Sequence, residues 1–395
     1  MPRPQPMTIP KTLRMLLLAA ALCAAASAAL PRAGTHYQAT FLEYSKGWGS
    51  IVGDFDNDGH DEVWNNGHDR DDRLWYWSPT GYLPGPQVLP YVDRHACEAA
   101  DFNRDGRLDF YCAVGAELGL GAKLNELWLQ DEDGVFHRAV NFGAEDIYGR
   151  GRYPIWLDFN HDGWPDLYLT NESTDRPDGQ PNVNHLYINQ GGTGFVEANT
   201  LATGQRGNQC VAKGDIDGDG WDDLLVCGAT EGNHLYLNNR QGDFTELQIP
   251  VLAASWLDAK LVDMDGDGRD DLVLINGRHL QVWTNIGVAP WFRAATLDVT
   301  LPGIGVSIAV GDFDGNGRRD IYAVMQDTAC GHTLIDKAPD LVAWGQPDGT
   351  YVTEVQPQAG LGGCGHRAQT VEGNKVLLEQ GGPIYKGGTY VIRWQ

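Results

Sequence analysis

Three features of the 395-residue sequence predict an all-β chain: a seven-bladed β-propeller with four antiparallel strands per blade. An acidic motif recurs six times, its first aspartates separated by 47, 57, 57, 48 and 49 residues. Each copy lies between short apolar runs, as in YPIWLDFN followed by DLYLTN, which reads as two strands joined by a polar loop. An aromatic-rich segment with a glycine turn follows at a regular delay, supplying a third strand and the start of a fourth.

Composition narrows the classes. Apolar residues make up 42% of the chain, enough for a buried interior despite a net charge of −24. Such acidity argues against nucleic acid or an anionic membrane surface as partner, because either needs a basic face.

Residues 1–28 carry Arg3, Lys11 and Arg14, no acid, and the apolar run MLLLAAALCAAASAA. A basic start, a short apolar stretch and the small triplet Ala26-Ser27-Ala28 predict a secretory signal peptide cut near Ala29. The run is too short to span a bilayer, and no later window is long and apolar enough. The expected destination is export to the periplasm or the extracellular medium. Removing the leader leaves a net charge of −27.

The propeller itself is expected over 36–395. Its six acidic loops read GDFDNDGHDEV (53–63), ADFNRDGRLDF (100–110), LDFNHDGWPDL (157–167), GDIDGDGWDDL (214–224), VDMDGDGRDDL (262–272) and GDFDGNGRRDI (311–321). Third strands are expected in RLWYWSPTGY (73–82), NELWLQDEDGVF (126–136), NHLYINQGGTGF (184–195), NHLYLNNRQGDF (233–244) and HLQVWTNIG (279–287). Residues 366–395 keep the strand rhythm without an acidic loop and read as a degenerate seventh blade of three strands. Its fourth strand is expected from THYQATFLEY (35–44), so that pairing of the N- and C-terminal strands closes the ring and removes an exposed sheet edge.

Within each loop, oxygen-bearing side chains occupy positions 1, 3, 5 and 9, and glycine occupies position 6. The candidate ligands are Asp54, Asp56, Asp58 and Glu62; Asp101, Asn103, Asp105 and Asp109; Asp158, Asn160, Asp162 and Asp166; Asp215, Asp217, Asp219 and Asp223; Asp263, Asp265, Asp267 and Asp271; and Asp312, Asp314, Asn316 and Asp320. Position 7 varies (His60, Arg107, Trp164, Trp221, Arg269, Arg318), as expected if only its backbone carbonyl is used. A hard cation with six to eight oxygen ligands suits this spacing, and the carboxylate number favours Ca²⁺ over Mg²⁺. Up to six Ca²⁺ are expected. Positions 1, 3, 5 and 9 carry 21 of the 53 acidic side chains, which repel one another unless a cation compensates. An EF-hand is excluded because position 12 (Asn65, Cys112, Leu169, Val226, Leu274, Ala323) offers no carboxylate and falls in expected strands.

These loops and their following strands resemble FG-GAP/VCBS repeats, the calcium-loop propeller repeats of integrin α-subunits and many secreted bacterial proteins. The resemblance covers nearly all of 36–395. Glu62 at position 9, Asn103 and Asn160 at position 3, and Asn316 at position 5 depart from the all-aspartate pattern while remaining oxygen donors. The seventh blade has no loop and no expected metal.

Six cysteines remain after the leader. Counted from the first loop aspartate, Cys97 and Cys112 lie at −4 and +11, and Cys210 and Cys227 at −5 and +12. Both pairs sum to +7, and opposed residues of an antiparallel hairpin have a constant sum. Disulfides Cys97–Cys112 and Cys210–Cys227 are therefore expected, with Cys330–Cys364 by elimination; free core cysteines are the alternative.

No catalytic constellation is recognised: the chain lacks GxSxG, HExxH, Walker and SxxK signatures. Trp75, Trp77, Trp128 and Trp283 are read as third-strand packing between blades. Trp164 and Trp221, inside the acidic loops, suit either sugar stacking or shielding of the metal site. His185 and His234 hold matching positions and read as a structural repeat.

The acidic loops should share a face with the turns joining third and fourth strands. The opposite face receives the long insertions at 114–125, 171–184 and 326–340, where recognition is often placed. The resemblance implies ligand binding on that same face. The function expected is a secreted calcium-binding propeller serving as a protein or glycan interaction module of adhesion type. The alternatives are a carbohydrate-binding lectin and a polysaccharide-active enzyme on the same scaffold.

Overall fold

The computed structural model describes residues 37–43, 49–66, 71–115, 124–146, 149–171, 182–204, 208–228, 232–254, 256–293, 296–326, 339–356, 365–380 and 388–394. The leader, Cys330, Cys364 and most of the three long insertions lie outside them.

Strand β1 (Tyr37–Glu43) belongs to the last blade. The first comprises β2 (Ile51–Gly53), β3 (Glu62–Asn65), β4 (Asp72–Tyr76) and β5 (Leu83–Leu89). The second comprises β6 (Arg94–Ala100), β7 (Asp109–Val114), β8 (Glu126–Gln130) and β9 (Phe136–Arg138). The third follows with β10 (Gly151–Leu157), β11 (Asp166–Asn171), β12 (His185–Asn189) and β13 (Phe195–Ala198). The fourth holds β14 (Asn208–Gly214), β15 (Asp223–Gly228), β16 (Asn233–Asn238) and β17 (Phe244–Leu247). In the fifth are β18 (Asp258–Val262), β19 (Asp271–Ile275), β20 (His279–Trp283) and β21 (Leu297–Thr300). The sixth runs β22 (Ile304–Gly311), β23 (Asp320–Gln326), β24 (Leu341–Gly345) and β25 (Tyr351–Val355). The seventh unites β26 (Gly365–Val371), β27 (Lys375–Gln380) and β28 (Gly388–Trp394) with β1.

Every blade is a four-stranded antiparallel sheet whose strands pair in sequence order, and the seventh closes as expected. Tyr37 pairs with Trp394 and Thr40 with Val391. Consecutive first strands (β2, β6, β10, β14, β18, β22, β26) touch one another and return to β2, completing the ring.

Burial follows from a blade being covered on both faces. Second strands such as DFYCAV, DLYLTN and DLLVCG are buried throughout, because residues of both parities face a neighbouring blade. Fourth strands at the rim, such as FVEA and FTEL, bury only their first residue fully. Among the described residues, the buried apolar side chains form seven clusters, one per blade junction. Leu42, Leu377 and Val391 of the seventh blade meet Val63 of the first, so hydrophobic burial also seals the closing seam.

Both expected hairpin disulfides are present. Cys97 lies opposite Cys112 and Cys210 opposite Cys227 in the β6–β7 and β14–β15 ladders, and each pair is bonded. One buried ion network also crosses a junction. Arg94, at the start of β6, donates to Asp72 Oδ2 of the first blade at 2.6 Å and to Glu126 Oε2 at 2.7 Å. Burying this cation is tolerable because two carboxylates meet it.

Candidate functional site

Each acidic loop joins the first and second strands of its blade, and one hydrogen-bond scheme repeats in all six. In the first, the Asp58 N–H donates to Asp54 Oδ1 at 3.0 Å and the Gly59 N–H to Asp54 Oδ2 at 3.0 Å. The Asp58 N–H also reaches Asp56, and the His60 N–H donates to Asp58 Oδ1 at 2.9 Å. The same bonds hold on Asp101, Asn103 and Asp105, on Asp158, Asn160 and Asp162, and on Asp215, Asp217 and Asp219. They recur on Asp263, Asp265 and Asp267 and on Asp312, Asp314 and Asn316.

The turn requires left-handed backbone at two places. Glycine at position 6 was expected, and it has positive φ in every loop (Gly59 at 90°, Gly317 at 81°). Position 4 is also left-handed throughout: Asn57, Arg104 and His161 at φ 60°, 56° and 57°, then Gly218, Gly266 and Gly315.

Position 9 is buried and opens the second strand. One oxygen of Asp166 accepts the Phe159 N–H of position 2 at 3.1 Å; the other accepts the Asn189 N–H at the end of β12 at 2.8 Å. Asp223, Asp271, Asp320 and Glu62 likewise tie position 2 to the end of the third strand. Burial pushes the carboxyls of Glu62, Asp109, Asp166, Asp223 and Asp320 up to about 7 and that of Asp271 to about 6. The other loop carboxylates add to this, and the N–H donors only partly offset it.

Four loops bring three carboxylates together, with one oxygen from each within 4.8 Å of the others. In the fourth, fifth and sixth loops these are positions 1, 3 and 9: Asp215, Asp217 and Asp223; Asp263, Asp265 and Asp271; Asp312, Asp314 and Asp320. In the first loop they are Asp54, Asp56 and Asp58, at positions 1, 3 and 5. The second and third loops have Asn103 and Asn160 at position 3 and so fewer carboxylates to converge. These donor sets fit a hard divalent cation, since several anionic oxygens share a space that their mutual repulsion would otherwise open. Asp219, at position 5, instead has its second oxygen 3.1 Å from Arg240 Nε.

Three position 7 side chains lie against the end of their own blade's third strand or the turn that follows it. His60 stacks on Trp77 at 3.5 Å, Arg107 donates to the Gln130 carbonyl at 3.1 Å, and Arg318 to the Pro347 carbonyl at 3.1 Å. Trp164 and Trp221 are partly buried against the preceding loops' Arg104 and His161, a contact between neighbouring loops. Trp77 corrects the strand reading: it lies one residue beyond β4, in the turn. Trp75, Trp128 and Trp283 do pack in blade junctions. The histidine repeat is structural too: His185, His234 and His279 pair with Glu197, Glu246 and Asp298 across their hairpins.

The loops are also latched from blade to blade, which sequence reasoning missed. Gln130, Asn189, Asn238 and Asn285, at or just past the ends of third strands, each donate a side-chain amide to the position 2 carbonyl of the preceding loop. The acceptors are Phe55, Phe102, Phe159 and Ile216, at 2.7–3.0 Å. Asn189, Asn238 and Asn285 donate their own N–H to position 9 of their own blade. Position 2 side chains plug the junction with the next blade. A second latch uses position 8, where Asp222 and Asp270 each accept the position 1 N–H of the preceding loop at 2.9 Å. The recurring Asn in INQGG, LNNRQ and TNIG was a visible signal for the first latch.

Charged groups of the first strands pair with near neighbours. Lys213 lies 3.2 Å from Asp222, Lys260 3.0 Å from Asp258 and Arg367 3.9 Å from Glu98.

Comparison with known proteins agrees with this architecture. The FG-GAP-like repeat family model matches residues 54–112, 101–169, 158–226, 215–262 and 263–323. No curated protein matches the sequence. Among solved structures, the chain is similar to an Agrocybe aegerita lectin described for specific recognition of non-reducing terminal N-acetylglucosamine. Identity is 16%, over 82% of this chain and 80% of that one, with a TM-score of 0.53. It is also similar to BBS1N in complex with ARL6DN, at 12% identity over 92% of this chain and 97% of that one, with a TM-score of 0.56. Such identities show the fold alone. The family matches run without a gap from the first acidic loop to the strand after the sixth, and the chain belongs to the FG-GAP-like repeat family.

Proposed function

We propose that the protein is an exported calcium-binding propeller serving as a protein or glycan interaction module of adhesion type. The observation that carries the calcium assignment is the convergence of positions 1, 3 and 9 in three successive loops. Asp, Asn and Glu side chains at positions 1, 3, 5 and 9, with the position 7 carbonyl, would hold up to six Ca²⁺. The ion supplies charge compensation and cross-linking, and the chain's residues supply a loop already folded around their shared oxygens. Export is supported by residues 1–28 and by two disulfides. Among the described residues, no helix is long and apolar enough to cross a membrane. Protein partners are expected on the face opposite the acidic loops.

The lectin reading has its own support. Two cavities lie between adjacent blades, each lined in part by the third-to-fourth turn of the following blade. One lies between blades five and six, where it also takes in Asp265 and Asp271 of an acidic loop, and the other between blades seven and one.

Chelation tests the calcium assignment. EGTA should lower the melting temperature, because an ion that binds only the folded state stabilises it by mass action. Asp217→Ala should remove one bound ion in equilibrium dialysis and spare the rest. An unchanged melt and unchanged stoichiometry would overturn the assignment. A glycan array and a pull-down from the native secreted fraction, each with and without calcium, separate glycan from protein partners.

A further inference from the structure

We propose that the cavity between the seventh and first blades binds a carboxylated sugar, a hexuronate or sialic acid residue at a glycan end. This rests on the glycan reading and adds to it a location and a charge class.

The cavity has a volume of about 200 Å³, the scale of one sugar ring, and is lined by Gln38, Thr40, Trp77, Tyr82, Lys375 and Arg393 among others. Its polar wall follows from strand register. Gln38 lies opposite Arg393 across β1–β28, and Arg393 opposite Lys375 across β27–β28. Directly opposed residues share a sheet face, so the three side chains form one row. The next row on that face is Thr40, Val391 and Leu377, of which Val391 and Leu377 belong to the hydrophobic seam. The polar row therefore lies just past the end of the closing core, beside the short turn that replaces an acidic loop in the seventh blade.

Two cations, Lys375 and Arg393, stand side by side in this row. Lys375 is held 2.7 Å from Glu372. Arg393 is exposed and has no ion pair among the described residues. A guanidinium with two free donors suits a carboxylate, which it can meet with two parallel hydrogen bonds. The facing wall is aromatic and braced. Trp77 is stacked on His60 at an interplanar angle of 18°, and the Tyr82 hydroxyl donates to the Asp61 carbonyl at 3.2 Å. A flat indole opposite a row of hydrogen-bonding groups suits a ligand with one apolar ring face and several hydroxyls, and the cations select an acidic one. Because His60 and Asp61 belong to the first acidic loop, calcium there would hold the aromatic wall in place.

Saturation-transfer NMR on the calcium-loaded full chain tests this with methyl glucuronide, N-acetylneuraminic acid and methyl glucoside. The acidic sugars should bind at least about tenfold more tightly than the neutral one, as expected of a charge-assisted hydrogen bond. Arg393→Gln should erase that preference at an unchanged melting temperature, and Arg393→Glu should reverse it. Equal affinity for acidic and neutral sugars, or Arg393→Gln indistinguishable from wild type, would overturn this site and leave the glycan reading standing. Absence of binding to all three sugars and to the glycan array would overturn both.

Discussion

The guanidinium carbon of Arg104 lies 5.2 Å above the ring of Trp164, joining position 4 of the second acidic loop to position 7 of the third. The same positions meet at the next junction, where His161 tilts against Trp221 at 4.7 Å. At the first junction the Asn57 side chain donates to the Gly106 carbonyl at 3.2 Å. Position 4 is left-handed in every loop, so these three side chains bear a backbone cost that Gly218, Gly266 and Gly315 avoid.

That trade is measurable. Arg104→Ala keeps the strained φ and loses the contact, and should cost about 0.5–1 kcal/mol. Arg104→Gly loses the same contact but relieves the strain, and should be roughly 0.5–1 kcal/mol more stable than the alanine variant. Urea denaturation gives the order, and alanine equal to or above glycine would refute the account.

Asn238 links two loops: its side chain donates to the Phe159 carbonyl of the third loop, and its own N–H to Asp223 of the fourth. Asn238→Ala leaves a buried carbonyl without its donor, which should cost about 1–3 kcal/mol. If loops support one another, the variant should also bind calcium more weakly than wild type in calorimetric titration. Lower stability with an unchanged calcium isotherm would make the latch purely structural.

Asp340 offers a pH test away from the acidic loops. It is buried, accepting the Tyr322 hydroxyl at 2.7 Å and the Met325 N–H at 2.9 Å, and burial raises its carboxyl to about 6. A folded-state value above the unfolded one means the contribution is fully present below about pH 4 and is lost as pH rises through about 6. The stability advantage of wild type over Asp340→Asn should therefore shrink by on the order of 2–3 kcal/mol between pH 4 and 7. Calcium-saturated denaturation curves at the two pH values measure it, and a constant difference would contradict the linkage.

The contrast between sequence and structure is one of distance along the chain. Spacing alone located the acidic loops, the blade count, the closing strand and the two hairpin disulfides. Loop hydrogen bonds such as Gly59 to Asp54 span five residues, and hairpin register obeys a constant sum. Both are local rules that side-chain order can express. Trp77 continues the alternation of its strand and so reads as strand packing, yet it turns out of the sheet to meet His60. By sequence Trp164 and Trp221 suit ligand and metal equally, and only the fold shows their contacts with Arg104 and His161 of the preceding loops. The latches from Asn189, Asn238 and Asn285 reach 69–87 residues back, and the Gln38–Arg393–Lys375 row joins opposite ends of the chain. Blade architecture was thus set by short-range periodicity. What each blade does to its neighbour was decided only when closure brought remote side chains within hydrogen-bonding reach.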